Sequence, residues 1–176
     1  MTISTAGGWT SKAGLLVQDA GSAKPKAQSV KVRQMLELVG NDPNALSKTK
    51  MDQLKIFKSV KGFDPANVSV AQMGNLSNFL KANGLISDVT AVTLSNAGDK
   101  FDRFGIPSDP EAKFNALEYF AMQLDNIQQN GIKGNKYGAY LIPEYKKAIY
   151  VLQNLKTYGM GNGTTAPTDK GVSSKV

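Results

Sequence analysis

The sequence predicts an all-α protein, and three observations carry that expectation. Between residues 30 and 155 the apolar residues recur every three or four positions, the period of a helix with one buried stripe. Glycines fall at 40, 62, 84 and 105, separated by 22, 22 and 21 residues, about one helix and one loop apiece. Asp-Pro pairs follow three of them, at Asp42-Pro43, Asp64-Pro65 and Asp109-Pro110. Aspartate caps helix starts, and proline suits a first helical turn, where its missing N–H would be unpaired. Glycine takes the left-handed conformation that stops a helix. The expected fold is a single compact bundle of about six helices over residues 28–159.

The first helix carries Val32, Met35, Leu36 and Val39 on one side. The second carries Met51, Leu54, Phe57 and Val60, with Ser47 as its cap and Leu46 stapled to Met51. Val70, Met73, Leu76 and Leu80 mark the third, which stops at Gly84 with Leu85 folding back on Leu80. Residues 86–98 read as a helix through Ile86, Val89, Val92 and Leu94, although DVTAVTL also alternates as a strand would. A capping box of Ser108 and Glu111 opens the fifth helix, along Phe114, Leu117, Ala121, Leu124 and Gln128. Two more stops are expected at Gly105, with Ile106 on Phe101, and at Gly131, with Ile132 on Ile127. Pro143 opens the last helix, which runs through Tyr145, Ile149, Leu152 and Leu155 and closes near Gly159.

The two ends differ from this middle. Residues 1–27 are small and polar with one Trp, and residues 160–176 are low in complexity, so both are expected to be disordered. The start carries no positive charge, and its apolar run is only Leu15-Leu16-Val17, which argues against a cleavable secretory signal. No apolar run approaches the ~20 residues that cross a bilayer.

Composition limits the chemistry. The 176 residues include neither cysteine nor histidine. Disulfides, thiolate nucleophiles, thiolate zinc sites and imidazole bases are therefore excluded. No cofactor or metal is expected. The net charge of +7 is unevenly laid out. Residues 24–61 hold nine Lys/Arg against three acids, residues 62–127 four against eight, and residues 128–176 seven against two. That pattern suits an acidic partner, or opposite faces of one bundle attracting each other.

Four stretches are candidate sites, the first being QQNGIKGNKYGAYLIPEYKK at 128–147. It is not a phosphate loop, because Lys133 precedes Gly134 and the next helix opens at Pro143 with no N–H to offer. GIKG matches the short loop of KH domains, but that fold needs a three-stranded sheet and no strands are expected. Asp99, Asp102, Asp109 and Glu111 resemble a damaged calcium loop in which Lys100 takes the first ligand position. Glu111, Glu118 and Asp125 recur every seven residues and read as a solvated border, paired with Lys55 or Lys58.

The fourth candidate is a cluster of tyrosines and lysines. Five of the six tyrosines (Tyr137, Tyr140, Tyr145, Tyr150 and Tyr158) fall within 22 residues, alongside Lys136, Lys146, Lys147 and Lys156. On the last helix Tyr150 lies opposite the apolar face, ringed by Lys146, Lys147 and Asn154, and is expected to be exposed. The expected partner-binding set is Lys133, Lys136, Tyr137, Lys146, Lys147, Tyr150 and Asn154.

From these residues the expected function is that of a non-enzymatic helical interaction or assembly protein with a protein partner. A Ser/Thr/Gly/Ala-rich start without a cleavable signal, no cysteine and a modest helical domain together resemble substrates of type III or flagellar-type export. That composition implies a secreted protein, exported without a cleavable signal peptide, with a cytoplasmic location as the other option. The alternative function is a nucleic-acid-binding or virion structural protein using its basic segments. A third is an enzyme working through carboxylates or lysine.

Overall fold

A computed structural model of the chain describes residues 29–98, 109–130 and 136–161. Among them the chain is mostly helical, with α1 (Val30–Val39), α2 (Lys48–Gln53), α3 (Phe57–Val60), α4 (Val70–Ala82), α5 (Asp88–Ser95), α6 (Ala116–Asn130) and α7 (Lys136–Met160). Two short strands, β1 (Val68–Ser69) and β2 (Lys113–Phe114), pair antiparallel, which the sequence had not suggested. The stops at Gly105 and Gly131, Ser108 of the capping box, residues 1–27 and the tail beyond Gly161 lie outside the described residues.

Serine starts the helices. Ser29, Ser47, Ser69 and Ser87 each accept the N–H three residues on, at 3.1–3.2 Å. Each such cap contributes about 1 kcal/mol by satisfying a donor that the helix leaves unpaired. Ser69 and Gln72 complete a reciprocal capping box. For α6 the cap is Asn115, which accepts the Glu118 N–H at 3.0 Å. The helix therefore begins well past the Ser108–Glu111 position expected from sequence, and Glu111 lies in the turn before it.

The Asp-Pro pairs do different work from the helix starts expected of them. Asp42, Asp64 and Asp109 each accept the N–H two residues on with a carboxylate oxygen, at 2.9, 3.1 and 3.1 Å. Their own carbonyls accept the N–H three residues on, at 3.0–3.2 Å. That is a β-turn with proline at its second position, locked by an aspartate side chain. In the first two cases the turn sits in an octet, GNDPNALS and GFDPANVS, whose closing serine is the real cap. The residue before that serine, Leu46 or Val68, is buried in the core.

The second and third turns also lean on each other. The Pro65 carbonyl accepts the Ala116 N–H at 2.8 Å, and the Pro110 carbonyl accepts the Ala71 N–H at 2.9 Å. Each turn thus satisfies an orphan donor at the start of the other's helix. The β1–β2 pair, with Val68 opposite Phe114, lies between them.

Helix stops follow the expected chemistry at one place and break it at another. Gly84, at φ +64°, ends α4 with the Leu85 N–H on the Leu80 carbonyl and its own N–H on Lys81, both at 2.8 Å. Leu80 and Leu85 are both buried, as the spacing predicts. The same bond pattern closes α2, where Ile56 donates to Met51 at 3.3 Å and Lys55 to Asp52 at 3.0 Å. Here a lysine holds the glycine position at φ +55°, a conformation that costs about 1 kcal/mol or more for a residue with a side chain. The expected single helix from Met51 to Val60 is therefore two, and Ile56 takes the buried place foreseen for Leu54.

One hydrophobic core unites the elements from Leu46 to Tyr158, with Phe63, Met73, Leu76, Phe120, Ile149 and Leu152 at its centre. In it α4 packs on α5, α6 on α7, α5 on α7, α1 on α6 and α3 on α7. Helix is the right reading of residues 88–95, but Val89 and Val92 face outward, and Thr90, Ala91 and Leu94 face in. At the far end of α7, a Cβ on Gly159 would press into the Val60 carbonyl oxygen. The Gly159 carbonyl in turn accepts the Gly62 N–H at 3.1 Å. The helix ends at Met160, close to Gly159 as the sequence suggests, and Gly159 also serves close backbone approach in its last turn.

Candidate functional site

The tyrosine–lysine cluster lies along α7, and α7 begins earlier than expected. Residues 136–141, which the expected start at Pro143 leaves before the helix, are helical. Pro143 sits inside the helix on its exposed side, where water can take the carbonyl that loses its N–H partner. Lys136 and Tyr137 fall in the first turn of α7, and Lys133 lies outside the described residues.

Toward the C-terminal end, Tyr150, Asn154, Lys156 and Tyr158 of α7 are engaged with other parts of the protein. Tyr150 is half-buried, and its hydroxyl donates to the Val39 carbonyl at 3.0 Å, at the end of α1. The expectation of an exposed Tyr150 is thus corrected. Opposite the main apolar stripe is not the same as facing water, because α1 and its following turn cover that side. One turn on, Asn154 donates to the Asp42 carbonyl of the first Asp-Pro turn at 2.7 Å. Lys156 pairs with Asp64 of the second such turn at 3.3 Å. Tyr158 is buried, packs edge-on to Phe57 at 5.9 Å and donates to Asp52 of α2 at 2.8 Å. Burial first, then the hydrogen bond and charge of Asp52, push its hydroxyl pKa above the ordinary value of 10.0.

The N-terminal half of α7 presents a different set. Tyr140 is 77% exposed and Leu141 39%. Glu144 accepts from the buried Thr90 hydroxyl and from Lys147, both at 3.2 Å, so it ties α5 to α7. Lys146 reaches a shallow groove of about 130 Å³ between α1, α6 and α7. Met35, Leu38, Leu124, Asp125 and Gln128 share its lining. Leu38 stands at its edge, 88% exposed. Sequence reasoning passed over this groove. Its one signal was Leu38 itself, an apolar residue next to the buried stripe of α1.

The acids are spread out. Asp125 pairs with Lys31 at 3.1 Å, not with Lys55 or Lys58, and Glu111 is off the helix that would have aligned it with Glu118. Of the calcium-loop candidates, Asp109 and Glu111 share a turn, and Asp99 and Asp102 lie outside the described residues. Among the described residues no three acidic side chains come together at metal-binding distance, and no helix is long and apolar enough to cross a membrane. No family model, no curated protein and no solved structure matches the chain.

Proposed function

We propose that the chain is a non-enzymatic helical interaction module, a compact bundle that docks or assembles with a protein partner through the groove between α1, α6 and α7. The exposure of Leu38 at the groove edge carries this reading. A leucine side chain left 88% in water contributes nothing to its own fold, and becomes useful when a partner covers it. Lys146 and the Lys31–Asp125 pair give the groove a polar rim, the usual surround of a small apolar anchor site. Tyr140 and Leu141 of α7 are further exposed apolar side chains available to a partner. Tyr150 and Asn154 support it from beneath. The polar residues 1–27 then act as an export or docking arm for a protein leaving the cell by a type III or flagellar-type route.

A photoreactive residue in place of Leu38 should capture the partner, while one at the exposed Arg33, round the helix from it, should not. Leu38→Asp should then weaken binding of the captured protein by more than about 1 kcal/mol and leave the melting temperature unchanged. Unchanged affinity in Leu38→Asp would remove the groove from the interface. For export, a chain beginning at Gln28 should stay in the cell while the full chain leaves; equal export of both rules the arm out as a signal.

A further inference from the structure

We infer that the outer side of α2 and α3 is a phosphate-backbone surface for double-stranded nucleic acid, separate from the groove of the proposed protein partner. Within residues 48–61 lie Lys48, Lys50, Lys55, Lys58 and Lys61, with Asp52 as the single acid. Asp52 already accepts the Tyr158 hydroxyl. Met51, Ile56 and Val60 are buried, and the lysines between and after them are turned outward. Lys55, Lys58 and Lys61 are exposed, three residues apart, and none has an acidic partner among the described residues.

Lys55 supplies the second observation. It occupies the left-handed position of a helix stop whose hydrogen bonds are complete, the place where glycine is the stable choice. At the equivalent stop of α4 the chain does use glycine, Gly84. A strained lysine kept beside two unpaired ones, Lys58 and Lys61, fits a charge retained for binding at the expense of stability.

The residue types select the occupant. Interface cores with protein are poor in lysine and rich in exposed aromatics and arginine, and this surface is the reverse. A single strand would want aromatic platforms, but Phe57, the one aromatic of these helices, turns toward Tyr158. A membrane surface would want an apolar face beside the lysines, and only Leu54, 39% exposed, is there. What remains are lysine point charges with Thr49 and Gln53 between them, the set that holds a duplex by its phosphates without reading bases.

The test is titration of a 30-base-pair duplex of mixed sequence with the full chain between 50 and 200 mM salt. The three lysines should contribute about three to the slope of log K against log salt, each single removal lowering it by about one. Lys55→Gly should raise the melting temperature while weakening duplex binding, a pairing that a purely structural lysine would not produce. Lys58→Ala and Lys61→Ala should weaken binding without moving the melting temperature, and Leu38→Asp should leave duplex binding unchanged. The inference is overturned by failure of the parent to bind at 50 mM salt. Duplex binding by Lys55→Gly with the parent's affinity and slope overturns it equally, as does preference for phosphatidylserine vesicles or polyglutamate over the duplex.

Discussion

The two halves of α7 are made of similar residues and do opposite work. Both carry tyrosine and lysine. In the C-terminal half those side chains end on the protein's own backbone and turns: Tyr150 on Val39, Asn154 on Asp42, Lys156 on Asp64, Tyr158 on Asp52. In the N-terminal half Tyr140 stands in water, and the exposed Lys147 reaches Glu144 of its own helix. What separates them is the covering. The end of α1, the first two Asp-Pro turns and α2 meet the polar side chains of the C-terminal half, while Tyr140 and Leu141 of the N-terminal half stay uncovered. An aromatic and basic run on a helix therefore identifies a polar face, and only the tertiary fold decides whether that face clamps the chain or meets a partner.

The sharpest way to break the clamped half is at its closest approach. Gly159→Val should destabilise the protein by about 3 kcal/mol in a urea melt, because the added carbons meet the Val60 backbone, which cannot yield as a side chain would. Next comes Tyr158→Phe, which removes the hydroxyl donated to Asp52 and should cost about 1 kcal/mol at neutral pH. The same substitution has a pH signature. The folded state holds the Tyr158 proton more tightly than the unfolded chain, so that stabilisation is complete below pH 10 and is lost as pH rises beyond it. The parent should therefore lose melting temperature above pH 10 faster than Tyr158→Phe does; parallel decline would detach the hydroxyl from the fold. The smallest effects belong to the open half, where Tyr140→Ala and Lys147→Ala should each change stability by less than about 0.5 kcal/mol in the same melt.

Local signals were readable from sequence because their causes are local. The Ser47 cap, the Gly84 stop and the Leu80–Leu85 pair are each determined within six residues, and each stands as expected. Residues 88–95 are legibly helical for the same reason, but which side faces the core is not legible, since Val89 and Val92 offer the same spacing as the buried set. Misreadings arose where one local pattern supports two structures. Asp-Pro suits a helix start and an aspartate-locked turn equally, and the serine five residues beyond Asp42 and Asp64 was the discriminating mark. The break at Lys55 left no mark, because lysine is a poor signal for a left-handed stop. The candidate site was harder still. Tyr150 and Val39 are 111 positions apart, and spacing along one helix shows the side a residue faces but not what lies across from it.

The division of α7 rests most directly on Tyr150. A urea melt of Tyr150→Ala, run beside Tyr140→Ala, compares two tyrosines of one helix that differ in what covers them. Loss of a half-buried ring and of its bond to the Val39 carbonyl should cost Tyr150→Ala about 2 kcal/mol, with Tyr140→Ala matching the parent. A Tyr150→Ala protein within about 0.5 kcal/mol of the parent would contradict the clamp and return Tyr150 to the open surface.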